Sequence, residues 1–252
     1  MVGIIGFGLA MIALLLFLFS LQDPNLVMLA AAVILFAALT LWELRAKSPF
    51  LDVRLLVRNA ALTRTYLRYA LVALCVYVVM YGITQWMEAA RGVSALDAGL
   101  LLLPMSIVSG IVVFPISRRN LIRGPVIVAA IASLAGSVGV LFLTSDTSIA
   151  WIVVITVIFG IVLGTASSGN QLALYTQAPP EQLGVASGLF RTFGYVGSIA
   201  SSAITGIVFH TNATDSGVHT IGLIMIGVSL VAIAFAIFDR TLRTPQPGTT
   251  SA

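Results

Sequence analysis

The chain has 252 residues, of which 59% are hydrophobic and 9% charged, with a net charge of +4 and a mean hydropathy of +1.08. Soluble domains carry roughly 25% charged residues, so a soluble enzyme, a soluble binding module and a nucleic-acid-binding domain are all excluded. The apolar residues fall into blocks of about 17 to 26, the length at which an α-helix crosses roughly 30 Å of hydrocarbon. The ten-residue alternating strands of a membrane β-barrel do not appear.

Eight spans follow in chain order, at 3–21, 26–42, 66–87, 99–117, 125–144, 150–173, 184–209 and 221–238, so the expected fold is an all-α polytopic membrane protein. The first block lacks a basic leading region and a small-residue cleavage site, and its apolar run is long, so it reads as a span and not as a signal peptide. If the N-terminus is cytoplasmic, the inner segments hold Arg45, Lys47, Arg54, Arg58, Arg64, Arg68, Arg118, Arg119, Arg123, Arg240 and Arg243, and the outer loops hold only Arg91. The positive-inside rule then places both termini in the cytoplasm.

The inner connection from Glu43 to Thr65 is basic, and its stretch from Ser48 to Leu56 is mildly amphipathic. Such a segment is expected to lie along the inner membrane surface against anionic headgroups, or to act as a docking surface. It divides the chain into a two-helix pair (1–43), a linker (44–65), a six-helix bundle (66–240) and a polar tail (241–252) with the composition of a disordered segment.

The fourth span contains Pro104 and Pro115, each of which removes a backbone hydrogen bond and favours a kink. Either the helix lines a cavity or the kink is structural. The sixth span has Gly160, Gly164 and Ser168, and the seventh has Gly184 and Gly188 and then Gly194, Ser198, Ser202 and Gly206, all at four-residue spacing. Ridges of small residues let helix backbones approach in lipid, and they also suit surfaces that rock. His210 and His219 share a loop with the sequon Asn212-Ala213-Thr214, but two histidines in a loop make a poor metal site. Cys75 reads as a small buried apolar residue, and Trp86 as an interfacial anchor.

Arg191 lies about 10 Å along the seventh span at helical rise. A charge at that depth either snorkels to headgroups or faces a wet cavity. Other polar groups placed to face a cavity are Tyr77, Tyr81 and Gln85, which share one helix face at i, i+4 and i+8, Asn170 and Gln171 on the sixth span, and Tyr195 one turn beyond Arg191. No carboxylate lies in the middle of a span, so a proton relay must come from elsewhere. No cluster of His, Asp or Glu and no Ser-His arrangement falls in the spans, so no enzyme activity is expected.

Three motifs carry a family resemblance: the run Pro49-Phe50-Leu51-Asp52-Val53-Arg54-Leu55-Leu56, the run Ser94-Ala95-Leu96-Asp97-Ala98-Gly99 leading to Pro104, and Pro179-Pro180-Glu181 followed by Gly184-Val185-Ala186-Ser187-Gly188-Leu189. In this order and spacing the chain resembles the second half of fourteen-helix transporters of the major facilitator superfamily, in the drug:proton antiporter branch. The resemblance implies that spans one and two are the extra central pair and that spans three to eight are the C-terminal bundle. It implies no cofactor, protons as the coupling ion, and efflux of small amphipathic molecules from a bacterial cell by alternating access. The implied partners are substrate, membrane lipid, and an N-terminal bundle or a second copy of the chain, without nucleic acid. In relatives the inner loop after the fourth span carries a Gly-x-x-x-Asp-Arg-x-Gly gating motif. Here Arg118, Arg119, Arg123 and Gly124 keep its basic residues and glycine, but the aspartate is absent. The rival expectation is a membrane scaffold or assembly partner that does not transport.

Overall fold

The computed structural model describes residues 2–19, 25–43, 45, 56, 59–239 and 241–242. All regular structure among them is helical, as a chain in hydrocarbon requires when it must satisfy its backbone groups internally. The amphipathic stretch from Ser48 and the tail beyond Leu242 lie outside the described residues, apart from Leu56.

The chain forms two compact units that meet in sequence between Thr63 and Arg64. In the first, α1 (Val2–Phe19) packs along α2 (Leu26–Glu43). Gly6, near the start of α1, faces Leu39, near the end of α2, so the two run antiparallel. The Asn25 side chain accepts the amides of Val27 and Met28 and caps α2.

The second unit holds six helices. They are α3 (Ala60–Arg91), α4 (Ala95–Arg119), α5 (Arg123–Val140), α6 (Ile149–Gln177), α7 (Leu183–Val208) and α8 (Asp215–Phe238). A single π-turn, Val79–Ile83, interrupts α3. By length and composition α3, α4, α5, α6 and α8 can cross a membrane, and the described apolar stretches of α1 and α2 are shorter. With 26 residues α7 is also long enough, but Arg191 and its small residues dilute its apolar character. Several helices run past the expected spans because caps extend them beyond the apolar block. Ser94 accepts the Asp97 amide at the start of α4, and Thr214 accepts that of Gly217 at the start of α8.

Glycine sets the packing of the bundle. A Cβ at Gly160 would lie 2.6 Å from the Met105 carbonyl oxygen, and one at Gly164 would lie 2.7 Å from that of Ser109, so α6 meets α4 backbone to backbone. A Cβ at Gly197 would lie 2.5 Å from the Ala70 carbonyl oxygen, which brings α7 equally close to α3. The expected ridge on α7 is therefore divided. Gly194 packs on Tyr69, whereas Gly184, Gly188 and Gly206 face open space. Both prolines of α4 stay within one continuous helix, and α4 is the least buried of the five long apolar helices. Where α3, α5 and α8 converge, Ser133 and Ser229 share a 2.8 Å hydrogen bond beside the buried Cys75.

Both ends of the bundle are closed by polar ties. At one end Trp86 is fully buried and donates its indole N–H to Asp215 at 2.9 Å, and Asp215 also accepts the amide and hydroxyl of Ser145. Trp86 is therefore not an interfacial anchor, because a long-range carboxylate partner draws it into the core. At the other end Arg68 is only 1% exposed. Its guanidinium donates to Asn170 at 2.8 Å, to Asp239 at 3.1 Å and to Thr65 at 3.2 Å. The other oxygen of Asp239 accepts the amide and hydroxyl of Thr241 and lies 3.4 Å from Arg64. Thr65 in turn donates to Gln177, so α3, α6 and the end of α8 are joined in one network.

Two outcomes follow from this packing. Gly160→Leu and Gly164→Leu should each destabilise the bundle by about 1–3 kcal/mol through overpacking, while Gly206→Leu should be close to neutral, as read by thermal unfolding in detergent. Arg68→Ala or Asp239→Ala should cost about 3–5 kcal/mol, because each leaves a buried charge without its partner. The double substitution Arg68→Met with Asp239→Leu should recover much of that loss in the same assay.

Candidate substrate-binding surface

The polar residues expected to face a cavity separate into an open set and a buried one. On α3, Tyr77 is half-buried, Tyr81 is 44% exposed and Gln85 is exposed. The rings of Tyr77 and Tyr81 stack at 5.6 Å with an interplanar angle of 28°, although the π-turn begins between them. That turn inserts an extra residue and rotates the face beyond it, which no i, i+4 pattern reveals. Gly82, within the turn, lies against Thr205 of α7, whose hydroxyl is buried without a hydrogen-bond partner.

Tyr69, two turns below Tyr77, extends the row. It stacks on Phe190 of α7 at 4.0 Å, and with Tyr77, Leu163 and Ala166 it lines a small void of about 30 Å³ between α3 and α6. Sequence reasoning missed Tyr69, and extending the Tyr77–Tyr81 periodicity backwards by eight residues would have found it. On α7, Tyr195 is 61% exposed. One turn earlier Arg191 is also exposed, and it has neither an ion pair nor a hydrogen bond among the described residues. The placement follows from α7 itself. Its packed face is Ala186, Leu189, Phe190, Gly194 and Gly197, which leaves Arg191 and Tyr195 on the other side.

On α6 the two adjacent candidates diverge. Gln171 is exposed and donates to the hydroxyl of Tyr175 at 2.7 Å, adding a second residue that sequence reasoning missed. Asn170 is 1% exposed and holds Arg68, so it belongs to the buried network and not to the open surface. Arg68 itself carries a sequence signal in its depth within α3, but its partners lie 102 and 171 residues away.

The loop proposed for gating is a compact turn. Arg118 and Arg119 end α4 and are exposed, with the Arg118 guanidinium 4.8 Å above the Phe114 ring. Asn120 adopts the left-handed region at φ 48°, its amide bonds to the Ser117 carbonyl, and the Leu121 amide bonds to that of Ile116. This pair of bonds is a Schellman closure, so the backbone completes the turn where relatives place a motif containing aspartate. Arg123 begins α5 in the open, and a Cβ at Gly124 would meet no neighbouring side chain or helix.

The two histidines do not converge. His210 lies on the Ile207 carbonyl and His219 on that of Leu143, and no group of three potential metal ligands occurs among the described residues. Among the described residues the open surface therefore offers stacked phenols, an amide bonded to a phenol and the Arg191 guanidinium, which suit non-covalent recognition of an organic solute.

Comparison with known proteins agrees with this architecture. Residues 1–202 match the family model described as the Major Facilitator Superfamily. An uncharacterised MFS-type transporter of Bacillus subtilis, YwoD, is 32% identical over 95% of this chain and 55% of its own length. The tetracenomycin C resistance and export protein of Streptomyces glaucescens is 28% identical over 74% of this chain and 35% of its own length. The methylenomycin A resistance protein of Streptomyces coelicolor is 29% identical over 82% of this chain and 44% of its own length. The chain thus spans about half the length of the curated relatives it matches. With a membrane-type helical bundle and a family model covering most of its residues, the chain belongs to the major facilitator superfamily, a family of multi-pass membrane transporters.

Proposed function

We propose that this chain forms the C-terminal part of an exporter of small amphipathic molecules, with α1 and α2 as a central pair and α3 to α8 as one of two bundles that rock around a shared cavity. The observation that carries this reading is the open face of α3 and α7, where Tyr81, Tyr195 and Arg191 stay exposed among the residues that the packed face of each helix leaves free. An intramembrane arginine facing no protein partner is costly unless it meets water, substrate or a second bundle. The facing wall comes from an N-terminal bundle or from a second copy of the chain. Two relatives named for antibiotic resistance support an efflux role. Protons are the proposed coupling ion, and the coupling carboxylates belong to the facing bundle, because α6 and α7 contain no Asp or Glu and α3 has only Glu88 near its end. The membrane is the plasma membrane of a bacterium, with both termini cytoplasmic. A passive scaffold would have no use for an exposed arginine and tyrosine row within a span.

In cells that express the chain with an N-terminal bundle, Arg191→Ala and Tyr77→Ala should each lower the rate of drug export about tenfold or more, equivalent to ~1.4 kcal/mol, with unchanged protein in the membrane. Export indifferent to both substitutions would support the scaffold. Orientation has its own measurement. A cysteine at Asn120 should be protected from a membrane-impermeant maleimide in intact cells and one at Ser145 should react, since the native Cys75 is buried.

A further inference from the structure

The charge inventory of this wall differs from what a site for lipophilic cations needs. Neither α6 nor α7 contains an acidic residue, and Glu88 stands at the far end of α3, some twenty residues along from the level of Arg68. At about 1.5 Å per residue that separation is ~30 Å, so Glu88 stands far from the level of Arg68, and Asp239 at that level is already held by Arg68 and Arg64. The arginines near it are mostly spent. Arg68 and Arg64 share Asp239, and Arg91 lies 5.9 Å over the Trp86 ring at the opposite end. Arg191 keeps an unneutralised charge on an exposed position, with Tyr195 one turn above it.

The tyrosines point the same way. An aromatic face attracts cations and an aromatic edge repels them. Tyr77 and Tyr81 each turn one face to the other, and Phe190 covers one face of Tyr69. The hydroxyl groups of the row can donate to carbonyl, phenolate and carboxylate oxygens. Gln171 and Tyr175 add amide and phenol groups on α6.

We infer that this wall selects planar aromatic solutes that are neutral or anionic, against lipophilic cations, with Arg191 as the residue that reads the charge and the row Tyr69, Tyr77, Tyr81 and Tyr195 as the aromatic rail. This rests on the transport reading of the same surface. A guanidinium binds a carboxylate through two parallel hydrogen bonds, and a protonated amine on the same ring meets a like charge.

The test uses one ring system with three charges: anthracene carboxylate, anthracene methanol and aminomethylanthracene, titrated by fluorescence against the full chain in phosphatidylcholine nanodiscs, with empty nanodiscs subtracted. The carboxylate should bind about tenfold more tightly than the ammonium, or ~1.4 kcal/mol. Arg191→Gln should remove that preference, whereas Arg191→Lys should retain it, which separates charge from assembly. Tyr77→Leu should weaken all three probes. An ammonium preference, or a carboxylate preference that survives Arg191→Gln, overturns the inference and leaves the cavity standing. Failure of all three probes to bind the wild-type chain overturns the cavity reading as well.

Discussion

Close backbone contact at a few glycines holds the bundle together. In lipid, helices gain nothing by exchanging apolar surface with hydrocarbon tails, so association depends on dense packing and on hydrogen bonds between helices. Gly160 and Gly164 bring α6 against the backbone of α4, and Gly197 does the same for α7 against α3. Once these pairs are fixed, the serine cluster between α5 and α8 and the stack of Tyr69 on Phe190 fall into register. The positions of the open tyrosines and of Arg191 are consequences of that register, since each lies opposite the packed face of its own helix.

The protein treats two of its arginines in opposite ways. Arg68 is surrounded by acceptors until almost nothing of it is left to solvent, whereas Arg191 has neither a hydrogen bond nor an ion pair among the described residues. Both residues are arginines on helices that pack together, so residue type does not separate them. Partners do. Asn170 and Asp239 stand within reach of one, and among the described residues no carboxylate pairs with the other. Buried ion pairs are weak sources of stability and stronger sources of specificity, which fits a role for Arg68 in fixing how α3, α6 and the end of α8 meet.

The helices were legible because hydrocarbon imposes a length and a composition on every crossing segment, and the glycine spacing on α6 correctly marked a close approach. Partner choice was less legible. The ridge on α7 looked uniform, yet Gly194 is packed and Gly206 is open, because spacing does not say which side of a ridge the neighbour takes. Asn170 and Gln171 are adjacent and equally polar, and only the rotation of α6 decides that the first is buried and the second exposed. Trp86 misled because its partner, Asp215, lies 129 residues away and opens the last helix. The π-turn in α3 left no sequence trace, although it changes which face Gln85 presents.

The tie between Arg68 and Asp239 also orders events in time. The arginine enters the membrane with the first helix of the bundle, and its counter-ion is 171 residues further along the chain. At a synthesis rate of about 5–20 residues per second that interval is roughly ten to thirty seconds. During it α3 carries an uncompensated guanidinium and is free to remain near the surface. Completion of α8 supplies the carboxylate, so a charge set early in α3 is answered only when Asp239 has been made.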